Sequence, residues 1–146
     1  MKASSPQGRP FAQIDPSSFV ADPELVRAIE RHAVRVPCEA DRILFQQDDP
    51  AEGAYIVYKG SVTLTMTAQD GRPLFAVQTV PGSVVGLPGA ISNRPYSLSA
   101  KALAGAEISF ISCADLNALM HAEPLLSLKM LELLAAEVRA ARKALF

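Results

Sequence analysis

The chain has 146 residues, of which 49% are hydrophobic and 20% are charged, and its formal net charge is -1. This size and composition predict one folded domain with a substantial core and exclude an intrinsically disordered protein. The nearly balanced charge gives no basic surface for nucleic acid, so we expect no direct contact between this chain and DNA or RNA. No apolar run has the length of a membrane span and no signal peptide begins the chain, which predicts a cytoplasmic protein.

The N-terminal part combines a polar segment with a short helix. Residues 1–20 are rich in Ser, Pro and Gln, which predicts a flexible arm. Asp22 followed by Pro23 is typical of a helix start, and Leu25 and Ile29 give that helix an apolar face.

The middle of the chain alternates apolar and polar residues in short segments that are separated by turns. In SVTLTMT, Val62, Leu64 and Met66 point to one side and threonines point to the other, which predicts a half-buried strand. Asp70-Gly71 predicts a tight hairpin turn to the next strand. Short strands at nearly regular spacing, joined by glycine-bearing turns, predict a mainly β fold of the jelly-roll or barrel type.

The last segment, 124–146, predicts a long helix that is too apolar for an ordinary surface helix. Leu126, Met130 and Leu133 form one apolar stripe that can pack on the barrel. A second stripe has the three–four spacing of a coiled-coil seam and contains Leu131, Leu134, Val138, Ala141 and Leu145. We therefore predict a homodimer through this helix. The alternatives are that one subunit buries both stripes, or that a further domain covers the second.

Several segments resemble the cyclic-nucleotide-binding domain family. LFQQDDPAEGAYIVYKGSV resembles the family's signature around its second to fourth strands, and DGRPLFAVQTVPGSVVG resembles the hairpin before the ligand cradle. GLPGAISNRPYSLSAKA aligns without a gap with the phosphate-binding cassette of the protein kinase A regulatory subunit. The last helix is similar to the dimerisation helix of catabolite-activator and FNR-type (CRP/FNR) bacterial regulators.

This resemblance covers about residues 22–145 and implies a double-stranded β-helix jelly roll with one N-terminal and two C-terminal helices. It divides the chain into an arm at 1–20, a β-roll domain at 21–123 and a dimerisation helix at 124–146. It also implies a non-catalytic sensory module of transcription regulation. A catabolite-activator type of regulator continues into a helix-turn-helix, so this chain is either a stand-alone sensor or the front part of a regulator with a separate or removed DNA-binding output domain.

The cassette departs from the family pattern at two positions that contact the nucleotide in other members. The Glu that takes the ribose hydroxyl is replaced by Leu87, and the Arg that clamps the cyclic phosphate is replaced by Tyr96. Losing the arginine costs roughly 2–5 kcal/mol of binding free energy if the phosphate is desolvated. Losing the ribose acceptor costs roughly another 1–3 kcal/mol. Together they weaken binding by at least about two orders of magnitude, so we expect no usual binding of cyclic AMP. Asp48 also replaces a turn glycine, and Asp tolerates a left-handed backbone.

The resemblance places the candidate ligand-binding residues in the cassette. They are Val85, Gly86, Leu87, Gly89, Ala90, Tyr96 and Ser97. Two hypotheses remain open. The pocket either binds a cyclic nucleotide or another small effector in a changed way, or is filled by its own side chains, which leaves a ligand-free scaffold for dimerisation or protein interaction. No cofactor is assigned.

The sequence contains few residues for metal binding or catalysis. His32 and His121 are the two histidines and lie far apart, which argues against a metal site in the barrel. No nucleophile and base stand at a catalytic spacing, so we expect no enzyme activity. Cys38 and Cys113 are too few for an iron–sulfur cluster. Cys113 lies near a helix start, where a thiol pKa can fall, so a redox sensor is the alternative to a structural cysteine.

Overall fold

The computed structural model describes residues 12–145, in which eight short strands are followed or interrupted by four α-helices. The strands are β1 (Val34–Val36), β2 (Arg42–Phe45), β3 (Gly53–Lys59), β4 (Val62–Thr67), β5 (Pro73–Gln78), β6 (Val84–Val85), β7 (Ser99–Ala102) and β8 (Glu107–Ser112). The helices are α1 (Pro23–Glu30), α2 (Leu87–Ser92), α3 (Cys113–Ala122) and α4 (Pro124–Leu145), and a short 3-10 helix at Pro16–Phe19 precedes them.

The strands form two antiparallel four-stranded sheets, with the orders β1-β8-β3-β6 and β2-β7-β4-β5. The predicted alternation in β4 is confirmed, since Val62 and Leu64 are fully buried while Thr63 and Thr65 are partly exposed. Asp48 has a φ of 74°, in the left-handed region that Asp tolerates better than most residues. The predicted jelly roll with flanking helices is confirmed.

Two apolar cores lie on opposite sides of β3, because successive side chains of a strand point to opposite faces. Val57 packs inside the roll, whereas its neighbour Ile56 packs against the helices. The barrel core includes Phe45, Val57, Leu64, Phe75, Val85 and Ile108. The helical core includes Leu25, Ile29, Ile56, Ile111, Leu116, Leu126, Met130 and Leu133.

Side chains cap the predicted start of α1 and the start of α3. The Asp22 carboxylate accepts a hydrogen bond from the amide of Glu24 at 2.8 Å, which caps α1. Its second oxygen accepts from the ammonium of Lys129 at 2.9 Å, and this contact ties α1 to α4. Ser112 caps α3 by accepting from the amide of Asp115 at 3.1 Å. The helices are therefore held against each other as well as against the sheet.

The segment 12–20 differs from the predicted flexible arm. Ile14 and Phe19 are buried in the barrel core, and Val20 pairs with Ser83 in an isolated β-bridge. The prediction rested on the polar composition of the whole arm and overlooked these two apolar side chains. Their burial stabilises the position of this short segment. Residues 1–11, the rest of the predicted arm, lie outside the described residues.

Helix α4 packs along both cores. The stripe of Leu126, Met130 and Leu133 is buried in the helical core, as predicted. Farther along, Ala140, Ala144 and Leu145 pack against the barrel core. Neither α4 nor any other helix within residues 12–145 combines the length and hydropathy of a membrane span.

The predicted dimer seam is therefore divided between two environments. Leu131 and Val138 are 62% and 50% exposed. Leu134 packs against the helical core, Ala141 is partly buried, and Leu145 packs against the barrel core. The exposed stripe on α4 consists of Leu128, Leu131, Ala135 and Val138, which also repeats at three–four spacing. It shares Leu131 and Val138 with the predicted seam, whereas the other three seam residues face the subunit, because α4 uses a wide arc of its surface within the subunit.

Candidate functional site: a cavity between the cassette and the last helix

The cassette begins with a sharp turn from β6 into α2. Gly86 has a φ of 85°, a conformation that favours glycine. A Cβ at this position would lie 3.2 Å from the ring of Tyr96 and 3.3 Å from the carbonyl oxygen of Gly53. The turn therefore needs glycine both for its backbone angle and for the close approach of Tyr96.

Tyr96 connects the cassette to the start of β3. Its ring stacks on Phe45, with centroids 3.8 Å apart and planes 16° apart. Its hydroxyl donates to the carbonyl of Gly53 at 2.6 Å and accepts from the amides of Glu52 and Gly53, both at 3.1 Å. Burial raises the pKa of the phenol, so it remains protonated at neutral pH. The hydroxyl is thus committed to the backbone rather than offered to a ligand.

Leu87 lies on the other side of the cassette from the barrel core. Its side chain is fully buried in the helical core, together with Ile29, Ile56 and Leu116. The family's carboxylate position is therefore occupied by a packing residue that joins α2 to the helices. Neither Leu87 nor Tyr96 lines the open space described below.

A cavity of about 430 Å³ lies between the roll, the cassette and α4. This volume falls within the range of small-molecule sites. Most of its wall is apolar, and Phe19, Phe45 and Phe75 contribute rings to it. The cassette side is formed by Val85, Gly86, Pro88, Gly89, Ile91, Ser92, Ser97 and Leu98, and the α4 side by Leu134, Glu137, Val138 and Ala141.

Four of the seven candidate ligand-binding residues line this cavity, namely Val85, Gly86, Gly89 and Ser97. Ala90 is buried in the helical core, and its amide donates to the carbonyl of Gly86 at 3.1 Å. That amide is consequently engaged inside α2 and is not free to donate to a ligand.

The wall holds a carboxyl group that sequence reasoning missed. Glu137 lies on α4, its Oε2 atom is buried, and that atom has no hydrogen-bond partner within residues 12–145. Burial raises the pKa of Glu137 to about 8. The signal was present in the sequence, because Glu137 stands four residues from both Leu133 and Ala141 and so interrupts an apolar helix face.

No arginine or lysine from the described part of the chain lines the cavity. Arg94, the nearest basic residue of the cassette in sequence, is exposed and is not part of the wall. An anionic ligand placed here would therefore meet a carboxyl group and apolar side chains, without a charged donor to replace its water.

The remaining candidate chemistry is dispersed. His32 and His121 are exposed, and residues 12–145 contain no group of three side chains arranged for a metal ion. Burial raises the pKa of both cysteine thiols, and the Cys113 thiol donates to the carbonyl of Ala51 at 3.4 Å. Burial at this helix start therefore favours a structural cysteine over the redox sensor considered for Cys113.

Comparison with known proteins finds similar chains among bacterial transcription regulators. The chain is 29% identical over 104 residues to a transcriptional regulatory protein, btr, of Bordetella pertussis, covering 71% of this chain and 43% of that protein. The catabolite activator protein of Thermus thermophilus is 26% identical with a TM-score of 0.72, covering 88% of this chain and 60% of that one. The cyclic-di-GMP-responsive global regulator CLP of Xanthomonas campestris is 25% identical with a TM-score of 0.62, covering 85% and 59%.

The chain thus spans between 43% and 60% of the length of these three regulators. A family profile described as the cyclic nucleotide-binding domain matches residues 35–123, which include every strand from β2 to β8, the cassette and α3. The predicted resemblance is confirmed: this chain belongs to the cyclic nucleotide-binding domain family and is similar to regulators of the catabolite-activator and FNR type.

Proposed function

We propose that this chain is the non-catalytic sensory domain of a CRP/FNR-type transcription regulator, and that it binds a small effector in the cavity. In this proposal, residues 21–123 form the sensor and 124–146 form the dimerisation helix. DNA binding belongs to a separate or removed domain. A cytoplasmic location fits such a regulator.

The observation that carries the proposal is the composition of the cavity wall. Residues of the roll, the cassette and α4 line the same cavity, so an occupant can contact Phe45, Gly89 and Leu134 at the same time. A ligand shifts a conformational equilibrium only through its different affinity for the two states. A ligand that touches both the roll and α4 has different contacts when the helix moves, which is what a sensor requires.

The side chains of the wall favour an effector other than cyclic AMP bound in the usual way. A cyclic phosphate needs charge-assisted donors when it leaves water. The described part of the wall offers the Ser97 hydroxyl instead, since the Ser92 hydroxyl already donates to the carbonyl of Pro88. Thermal unfolding with cyclic AMP, cyclic GMP and cyclic di-GMP tests this point. We expect no increase in Tm at millimolar nucleotide, whereas a bound nucleotide would raise Tm by mass action.

The exposed stripe on α4 supports homodimerisation. Leu128, Leu131 and Val138 are each at least 50% exposed and lie on one side of the helix. An apolar stripe of this kind is typical of an interface between subunits. Because Val138 also lines the cavity, the dimer interface and the ligand site adjoin on the same helix.

The alternative is a ligand-free scaffold with a filled pocket. It is favoured by Leu87 and Tyr96, which do pack shut the two positions where the family contacts a nucleotide. An uncharged dye whose fluorescence rises in apolar surroundings, N-phenyl-1-naphthylamine, separates the two proposals. The sensor predicts saturable binding that Ala141→Trp blocks by filling the cavity, while Ala118→Trp, at an exposed position of α3 that does not line the cavity, does not. Absence of saturable binding would favour the scaffold.

A further inference from the structure

Glu137 is the one ionisable side chain that lines the cavity within the described part of the chain. Its Oε2 atom is buried without a hydrogen-bond partner in residues 12–145. Buried polar atoms are almost always paired in folded proteins, so an unpaired one beside a cavity needs an explanation. An occupant of the cavity that supplies the missing donor provides it.

We propose that the effector is a mainly apolar small molecule with an ammonium group, and that this group pairs with the Glu137 carboxylate. The inference rests on the proposed sensor function and narrows the class of ligand. It replaces the anionic ligand of other cassettes by one of the opposite charge.

The apolar wall and the carboxyl group suit the two ends of such a molecule. Phe19, Phe45 and Phe75 can cover a hydrocarbon or ring portion, whose burial supplies most of the binding free energy. An ammonium has three donors and no acceptor, so it can satisfy Glu137 and also the hydroxyls of Ser92 or Ser97 in the same wall. The pair is charge-assisted, and such hydrogen bonds are about twice as strong as neutral ones.

Few other charges compete for the ammonium. The 3-10 helix, the loop after α2 and α4 itself are the elements around Glu137 that bear charged side chains near the cavity. These side chains are exposed and do not line the cavity: Asp15, Arg94, Glu132, Arg139, Arg142 and Lys143. Glu137 is therefore the side chain that decides which ligand charge the cavity favours.

Binding at Glu137 also has a route to the proposed dimer interface. Val138, the next residue on α4, both lines the cavity and belongs to the exposed stripe. A ligand that pairs with Glu137 therefore fixes the rotation and position of the helix segment that carries the stripe.

The test compares three probes that share an eight-carbon chain and differ in the charge of the head group. Octylammonium, octan-1-ol and octanoate compete with N-phenyl-1-naphthylamine at pH 8.5, where Glu137 is mostly ionised and the amine is still protonated. We expect octylammonium to bind about tenfold more tightly than octan-1-ol, because a charge-assisted bond exceeds a neutral one by about that factor. Octanoate should bind most weakly.

Glu137→Gln keeps the size of the side chain and removes its charge. We expect this variant to lose the preference for octylammonium while it still binds the dye, which also shows that it folds. Glu132→Gln is the matched control, because Glu132 is an exposed glutamate on the same helix and does not line the cavity. That control should keep the wild-type order.

The outcomes separate this inference from the proposed function. If the dye and octan-1-ol bind but octylammonium binds no better, or if Glu137→Gln keeps the preference, the assignment of an ammonium ligand is overturned and the sensor proposal stands. If neither the dye nor any probe binds, the cavity is no ligand site and both proposals are overturned.

Discussion

The residues of the cassette fall into two groups with different surroundings. Leu87 is fully buried in the helical core, and Tyr96 is buried in the barrel core, where its hydroxyl donates to the carbonyl of Gly53. Gly89 and Ser97 instead border a cavity of about 430 Å³ that α4 also lines. The same short segment thus supplies both core-packing residues and part of a cavity wall.

This difference shows that replacing the two nucleotide-contacting residues does not by itself fill the cavity. Leu87 and Tyr96 replace the two residues that contact the nucleotide in other members, and both contribute to core packing. The character of the open space comes from the barrel wall and from Glu137 on α4. Substitutions of the packing residues of the cassette and of residues on α4 test this difference, and they follow in order of their expected effect on folding stability.

Leu87→Glu should have the largest effect. The carboxylate would enter the helical core, where Leu87 has no exposed surface, and burying an unpaired charge should lower the free energy of unfolding by at least about 5 kcal/mol. Urea denaturation measures the change, and Leu87→Met is the control, since a swap of similar volume costs less than about 1.5 kcal/mol. A stable Leu87→Glu protein that gains cyclic AMP binding would place this side chain in the cavity instead.

Glu137→Gln should change how stability depends on pH. The pKa of Glu137 is about 8 in the folded protein and near 4.5 when exposed, so below pH 4.5 both states are protonated. Between pH 4.5 and 8 the unfolded state releases its proton first, and folding stability falls as the pH rises. At a shift of this size the loss is at most about 5 kcal/mol.

Thermal unfolding of the wild type and of Glu137→Gln from pH 4 to pH 9 measures this loss. The stability of the variant relative to wild type should increase with pH up to about 8 and then level off. The charged side chains nearest the cavity, such as Asp15 and Arg139, are exposed, and they remain in both proteins, so their contribution largely cancels. Parallel pH curves for the two proteins would show that the carboxyl group is solvated.

Tyr96→Phe should have a moderate effect. The change removes one donor to the Gly53 carbonyl and one acceptor for two amides. Leaving these buried backbone groups unpaired should lower the free energy of unfolding by about 2–4 kcal/mol. Tyr55→Phe serves as the comparison, since its hydroxyl makes one longer bond of 3.3 Å to Leu44 and should cost less. Equal losses of stability in the two variants would show that the hydrogen bonds of Tyr96 to Glu52 and Gly53 contribute no more than the single bond of Tyr55.

Leu131→Glu should change assembly and leave folding nearly unaffected. Leu131 is 62% exposed on α4, so the substitution should alter the free energy of unfolding of one subunit by no more than about 0.5 kcal/mol. A glutamate on the apolar stripe should nevertheless prevent dimers, which light scattering measures at tens of micromolar. Val34→Glu is the control, since Val34 is also 62% exposed but lies on β1, away from α4. If the unaltered chain is already monomeric at these concentrations, the interface proposal is wrong.

The sequence by itself determined the architecture, because local patterns carry that information. The period-two alternation in β4, the Asp22 cap of α1 and the buried stripe of α4 all lie where the sequence placed them. Each depends on residues within a few positions of one another, whose preferred conformations are set by sterics, hydrogen bonding and burial. The resemblance to the cyclic-nucleotide-binding family then supplied the connection between these elements.

Only the tertiary structure decided which residues of the cassette border the cavity and which other residues line it. Leu87 and Tyr96 are nine residues apart, yet they belong to different cores. Glu137 lines the same cavity as Gly86 and Ser97, although it lies about forty to fifty residues after them in the chain. Such contacts depend on how α4 crosses the roll, and many side chains fix that crossing together, so no local pattern could reveal it.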